Sequence, residues 1–320
     1  MLLRLGLEIA DRVVSRLPAR LAYALADLAG DAWYRAAGDR RRLVAANLSR
    51  VCAATDRPTS GPVFRNLVRD AFRNHARYYL ELLRAPHYDV ARADEFVRVD
   101  DWDAYAEALG PGPSMLVSCH LGNFEPFALF LARRGYRPLA PVEEIEPPEL
   151  FAFIAEHRGG GAVQLVPLSR ARSALTKRLR EGGLVGIIGD RVVEGSGHPV
   201  TMFGHPTVTP LGPATLAVTH RVGLVVGRCL RSGPDRFVAV GEPIEVPDSG
   251  DRRADIVSLA ERMAARYERD IGEAPEQWWG AFQPYWPDLD PGRAPTAPAD
   301  ADPLFHAHGA RPGSRSGQYG

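Results

Sequence analysis

The stretch Met115-Leu116-Val117-Ser118-Cys119-His120-Leu121-Gly122-Asn123-Phe124-Glu125-Pro126-Phe127-Ala128-Leu129-Phe130-Leu131 changes character twice. Met115 to Cys119 reads as a buried strand that ends at His120. Gly122-Asn123 is a tight turn, and Glu125 opens an apolar helix. A strand that feeds directly into a helix is the building unit of α/β folds. Histidine takes or gives a proton near neutral pH. A carboxylate five residues on is not its automatic neighbour. In a helix that spacing puts two side chains about 140° apart, and in a strand an odd offset puts them on opposite faces. Only an irregular junction brings His120 and Glu125 together, and Gly122-Asn123 supplies one. A histidine held by a carboxylate is a general base for a hydroxyl. The spacing alone is matched equally well by a satisfied strand-end histidine and a surface glutamate.

Outward from this stretch the same alternation continues. Candidate strands are 96–99, 115–119, 139–142, 164–167, 184–189, 200–203, 224–230 and 237–240. Helices are expected at about 102–109, 124–134, 147–158, 170–181, 210–221 and 251–272, with Thr209-Pro210 as a helix start. The pattern predicts an α/β fold: a mixed, largely parallel sheet covered by helices on both faces. Leu184 to Gly189 is a buried strand by composition, and Asp190-Arg191 sits at its end. Strand ends of open α/β sheets are where sites gather. If this strand and the one before His120 are parallel neighbours, both polar clusters open on one crevice. A local ion pair is the other reading of Asp190-Arg191.

The first 90 residues read differently. Helices are expected at 2–17, 19–37, about 40–51 and 63–83, the last with Tyr78-Tyr79 near its end. In 2–17, Leu2, Leu3, Leu7, Ile9, Ala10, Val13, Val14 and Leu17 share one side and the charged residues the other, with Leu5 as the exception. Such a helix suits a membrane interface or the protein's own core. Residues 1–90 contain 15 arginines and 9 acidic residues, so this part is basic within a chain of zero formal net charge. A basic amino-terminal region fits an anionic membrane surface, and nothing global suggests nucleic acid. The expected division is therefore a helical, membrane-associating region (1–90), an α/β core (91–288) and a disordered tail (289–320), the tail having almost no large apolar side chains.

Cys52, Cys119 and Cys229 are too scattered for a disulfide framework or a zinc site, and no metal is implied. Cys119 is a poor nucleophile candidate beside His120, because adjacent strand residues face opposite ways. No run of 18 apolar residues exists, so no transmembrane helix is expected, and the charged start is unlike a secretory signal. The near-exclusive use of arginine, with Lys177 the sole lysine, is that of a GC-rich genome. The triple glycine 159–161 follows a helix instead of opening one, so it is no dinucleotide fingerprint. Gly195-Ser196-Gly197 lacks the context of a nucleophile elbow. Trp278, Trp279 and Trp286 suit a core cluster or a lipid contact.

Several motifs together resemble one known family. They are His120-x4-Glu125 in its His-Leu-Gly-Asn-Phe-Glu setting, Glu143-Glu144 with Arg158, and Gly189-Asp190-Arg191. Met202-Phe203-Gly204, Gly212-Pro213-Ala214-x-Leu216-Ala217 and Gln277-Trp278-Trp279-x-x-Phe282-Gln283-Pro284-Tyr285-Trp286 complete the set. From about residue 5 to 288 the chain resembles the bacterial lipid A biosynthesis acyltransferases, and most closely their branch that acylates phosphatidylinositol mannosides. The family's acid is often Asp, so Glu125 is an allowed variant.

The resemblance implies transfer of a long acyl chain from acyl-CoA or acyl-carrier protein, as co-substrate and not as bound cofactor, to a hydroxyl of a membrane glycolipid. His120 would be the base and Glu125 the first candidate to orient it, with Glu194 competing for that task. Arg158, Asp190, Arg191, Glu144 and Glu194 would shape the substrate site, Arg158 by binding phosphate or steadying the thioester oxygen. Glu143 and Glu144 either pair with Arg158 or are solvated. The expected location is peripheral, on the cytoplasmic face of the plasma membrane. A lipid A-type or lysophospholipid acyltransferase, a hydrolase that activates water with the same pair, and a non-catalytic lipid-binding protein are the alternatives.

Overall fold

The computed structural model describes residues 2–144, 147–192 and 197–290. Four helices open the chain: α1 (Leu2–Arg16), α2 (Ala19–Ala36), α3 (Gly38–Ala54) and α4 (Gly61–Arg84). The alternating part follows as α5 (Ala93–Phe96), β1 (Val97–Val99), α6 (Trp102–Leu109), β2 (Ser114–Ser118), α7 (Glu125–Arg133) and β3 (Leu139–Val142). Next come α8 (Pro148–His157), β4 (Gln164–Pro167), α9 (Leu168–Arg180), β5 (Leu184–Ile188), β6 (Gly197–Met202), β7 (His205–Pro210) and α10 (Gly212–His220). The chain then adds β8 (Gly223–Gly233), β9 (Arg236–Pro243) and α11 (Arg252–Glu273).

Seven strands form one sheet in the order β1-β9-β8-β2-β5-β3-β4. Every neighbouring pair is parallel except β8 and β9, which are antiparallel. The expected mixed, largely parallel α/β sheet is thus the one observed. Strand residues alternate between two cores. Met115, Val117, Val185, Leu224 and Val226 face a core that also contains Leu175 and Leu179 of α9, Ala214 and Ala217 of α10 and Leu259 and Met263 of α11. Leu184, Val225, Cys229, Phe237 and Ala239 face the other, with Tyr105 of α6 and Phe127, Phe130 and Leu131 of α7. The amino-terminal helices are not separate from this packing. Val44, Leu48 and Val51 of α3 and Phe64, Val68 and Phe72 of α4 belong to the first core.

Strand β7 was not among the expected strands. Thr209-Pro210 does not start a helix; it ends β7, which pairs with β6 in a separate two-stranded hairpin. Helix α10 begins at Gly212 with Pro213 in its first turn. A proline at the end of a hairpin strand needs no ladder donor, so local sequence did not separate the two readings. The Met202-Phe203-Gly204 motif is the hairpin's turn: Phe203 and Gly204 both have positive φ, 51° and 75°, as a type I′ turn requires.

Helix α1 packs against the protein along one side and leaves another apolar stripe exposed. Leu7, Val14 and Leu17 are half-buried against the protein, while Leu5, Ile9 and Val13 are each about half exposed, at 52%, 52% and 53%. Leu5, the exception to the apolar arc, therefore falls in line with Ile9 and Val13 at spacings of four. Arg4, Arg12 and Arg16 are exposed on the same helix. Leu21, Leu25 and Leu28 of α2 are exposed as well. Among the described residues no helix is long and apolar enough to cross a membrane. The carboxy-terminal boundary also moves slightly: Leu289 packs against the first core. The rest of the expected tail, residues 291–320, lies outside the described residues.

Candidate active site

Strands β2 and β5 are parallel neighbours with Ser118 opposite Ile188. Two residues beyond each end stand His120 and Asp190, so the register itself places them face to face. Gly189 N–H donates to Ser118 O (2.7 Å), keeping the two exits together. Asp190 meets the histidine twice. One carboxylate oxygen accepts from His120 N (3.1 Å) and the other is hydrogen-bonded to His120 Nδ1. The Asp190 side chain is fully buried and the His120 side chain is 13% exposed. An ionised carboxylate only accepts, so Nδ1 carries the hydrogen and Nε2 is left as the basic nitrogen.

This corrects the expected partner. The carboxylate on the imidazole is Asp190, assigned from sequence to the substrate site, and not Glu125. The reading of Asp190-Arg191 as a local ion pair falls with it. Glu125 is the first residue of α7, and its Oε1 lies 3.7 Å from Arg158 Nε. There its charge also suits the positive end of the helix dipole. Glu144 is exposed and accepts from Ser169 Oγ (3.3 Å); it lines neither cavity beside His120. Glu194 lies outside the described residues.

The turn between His120 and α7 is tied from three sides. Gly122 N donates to Gln277 O (3.0 Å), Asn123 N donates to Cys229 O (2.8 Å), and Asn123 Oδ1 accepts from Glu125 N (3.0 Å). Gly122 has φ +68°, and a Cβ there would stand 2.0 Å from Cys229 O, so only glycine fits. Trp279 N and Gly280 N both donate to His120 O, at 3.0 and 3.3 Å. The Trp279 ring meets the imidazole edge-on, with centroids 4.4 Å apart. Trp278 and Trp286 are core residues, fully buried, whereas Trp279 supports the histidine. Cys119 is completely buried, and burial with the nearby Asp190 charge pushes its thiol well up, which leaves it no part as a nucleophile.

Two cavities open near the ends of β2 and β5. The first, of about 130 Å³, lies on the α7 face of the sheet. Its floor is a row across neighbouring strands, Val225, Leu116, Gly186 and Ala140, and its roof includes Phe127 and Ala128. Small residues at Gly186, Ala140 and Ala128 leave unfilled the space that side chains close in a packed sheet–helix interface. Ser118, Ile188, Glu125 and Arg158 are its polar or strand-end margin. The second, of about 270 Å³, is lined by His120, Arg191, Arg40, His75, Tyr79 and Trp279 among others. Burial, with the nearby charge of Arg40, pulls His75 down to about 4, so it is a neutral ring in that wall. Arg158 interacts with Tyr78 as well as Glu125, and Tyr78 lines the second cavity, so these three residues stand between the two spaces.

Of the expected site residues, His120, Asp190 and Arg191 come together, and Glu125 with Arg158 stand at the apolar cavity. Sequence reasoning missed Trp33, Arg40 and His75. They lie on α2, α3 and α4, and nothing local distinguishes them from ordinary surface or core residues. Trp279 and Tyr78-Tyr79 were visible as aromatic clusters, without a direction.

The sequence profile of the bacterial lipid A biosynthesis acyltransferases matches residues 5–286. The chain is 26% identical over 288 residues to a protein named phosphatidylinositol mannoside acyltransferase in Mycolicibacterium smegmatis, covering 88% of this chain and 90% of that protein. It is 28% identical over 249 residues to a protein of the same name in Mycobacterium tuberculosis H37Rv, covering 75% of each. The matched residues include the His120–Asp190 pair and the residues that line both cavities. The chain accordingly belongs to the bacterial lipid A biosynthesis acyltransferase family and is an acyltransferase of lipid biosynthesis.

Proposed function

We propose that this enzyme transfers a long-chain acyl group from an acyl thioester, acyl-CoA or acyl-carrier protein, to a hydroxyl of a membrane glycolipid, a phosphatidylinositol mannoside. The observation that carries this reading is the Asp190–His120 pair, with His120 lining a polar cavity and an apolar cavity reaching the ends of the same two strands at Ser118 and Ile188. The apolar one suits an acyl chain, the polar and aromatic one a sugar head. His120 Nε2 removes the acceptor proton as the hydroxyl oxygen attacks the thioester carbonyl. The tetrahedral intermediate expels the thiolate, which takes the proton back from the imidazolium. Asp190 holds the ring in the useful tautomer and favours its charged form. No covalent intermediate on the enzyme is needed.

Arg191, with Arg40 nearby in the same cavity, is the candidate for the acceptor's phosphodiester, because a guanidinium binds phosphate oxygens in pairs. Arg158 belongs with Glu125 at the apolar cavity instead. The names of the mycobacterial relatives favour a mannosylated phosphatidylinositol as acceptor. Palmitoyl-CoA offered with that lipid should yield the acylated product, and with a lipid A precursor little or none. Acylation of the lipid A precursor alone would overturn the acceptor; release of free fatty acid without any acylated lipid would favour a hydrolase.

The enzyme works as a peripheral protein on the cytoplasmic face of the plasma membrane. Exposed Leu5, Ile9 and Val13 beside Arg4, Arg12 and Arg16 support this, as do Leu21, Leu25 and Leu28 on α2. Co-sedimentation with anionic vesicles should weaken as salt rises and again when residues 1–17 are deleted. Equal binding to neutral and anionic vesicles would remove the electrostatic part.

A further inference from the structure

Glu81, on α4, is a completely buried carboxylate with no direct contact to His120. Burying a charge is costly, and an apolar pair of similar size often serves the fold as well. Four donors converge on Glu81. Tyr23 Oη donates to Oε1 (2.8 Å), Asn123 Nδ2 donates to Oε2 (2.8 Å), and Arg231 donates to both oxygens through Nε and Nη2. Arg231 is itself nearly buried and is bracketed by Gln277, whose amide bonds both Arg231 N (2.9 Å) and Arg231 O (3.1 Å). The carbonyl of the same Gln277 accepts from Gly122 N. Two branches of this network, through Asn123 and through Gln277, end on the turn between His120 and α7, while Arg231 Nη1 also donates to Asn74 Oδ1 on α4 and Tyr23 Oη accepts from Asp235 N.

The chemistry of Glu81 decides which way the Asn123 amide points. A carboxylate accepts and cannot donate, so it draws in the amide's NH₂. That leaves Asn123 Oδ1 turned towards Glu125 N, where it accepts from the backbone of the first residue of α7 in an Asx turn. The reversed amide would set NH₂ against N–H, two donors face to face. We propose that Glu81 is a positioning residue for the reaction: acting through Asn123, it fixes the turn that carries His120 and opens α7, so that His120, Glu125 and the cavity margin keep one geometry. The inference rests on the acyl-transfer reading above, because the groups it positions are those of that site.

Two double variants separate positioning from charge and folding. Glu81→Gln with Arg231→Met removes both buried charges and keeps an oxygen that accepts from Asn123. Glu81→Leu with Arg231→Met also removes both charges, but leaves the Asn123 amide without its acceptor. The first should keep kcat within about threefold of wild type. The second should lose roughly 10–100-fold in kcat, the scale of a small misplacement of catalytic groups, with the KM for palmitoyl-CoA unchanged. Asn123→Ala leaves the Glu81–Arg231 pair intact and should show the same kcat loss, which keeps the test open if the leucine variant fails to fold. Equal kcat in the two double variants, or wild-type kcat in Asn123→Ala, would overturn the proposal. If the wild type transferred no acyl group, the acyl-transfer reading would fall by itself. The amide resonances of residues 120–125 in the same variants would then decide the positioning claim: displaced in the leucine variant and restored in the glutamine variant if it holds, alike in both if it does not.

Discussion

Replacing His120 by alanine is expected to lower acyl transfer by roughly 10²–10⁴-fold, the contribution of a positioned general base. No other described side chain that lines the polar cavity combines a carboxylate partner on the ring with a second nitrogen for substrate. His75 is a neutral ring in the same wall, but its lowered proton affinity makes it a poor base at neutral pH. The variant should fold, with a lower Tm. Asp190 is 2% exposed, so loss of the imidazole leaves one of its oxygens without this partner, a cost of about 1–3 kcal/mol or more for a charged group. The other oxygen keeps the backbone N–H of residue 120. Circular dichroism should match wild type. Transfer within threefold of wild type by a purified, folded variant would remove His120 from the mechanism.

The second large effect is expected at Asp190. Asp190→Asn preserves size and one acceptor, yet it changes what the ring meets. The backbone N–H of His120 needs the amide oxygen, so the amide NH₂ is presented to Nδ1. Nδ1 must then accept, the hydrogen moves to Nε2, and the ring can no longer take a proton from the acceptor hydroxyl. The imidazolium that forms during attack also loses its counter-charge. A fall of roughly 10²–10⁴-fold in kcat is expected, with the KM for the acyl donor little changed, since Asp190 does not line the apolar cavity. Glu125→Gln should fall less far, because the Glu125 carboxylate stands with Arg158 and not on Nδ1. A larger loss in Glu125→Gln or in Glu194→Gln than in Asp190→Asn would return the orienting role to one of those residues.

Much of the fold was legible because secondary structure is written in local periodicity. The expected bounds of β3, β4 and α6 are those observed, and α7, α9 and α11 shift by a residue or two. The failure at Thr209-Pro210 has the same origin. A threonine before a proline caps a helix or ends a hairpin strand equally well, and only the pairing of β7 with β6 chooses.

The sequence by itself determined that His120 and Asp190 each follow a buried strand, because an apolar run broken by polar residues is a local signal. It also determined that the first helix carries apolar and charged stripes. Which carboxylate sits on the imidazole was decided only by tertiary structure. Glu125 is five residues from His120 and Asp190 is seventy, yet sequence distance says little about distance in a folded sheet. The adjacency of β2 and β5, and their register of Ser118 on Ile188, belong to the order of strands in the sheet. That order is set by how all seven strands and their covering helices bury their faces together, and no local stretch records it. The same holds for Arg40, His75 and Trp279, which three separate segments bring to one cavity. It holds again for Glu81, whose buried charge makes sense only once Arg231, Tyr23 and Asn123 converge on it.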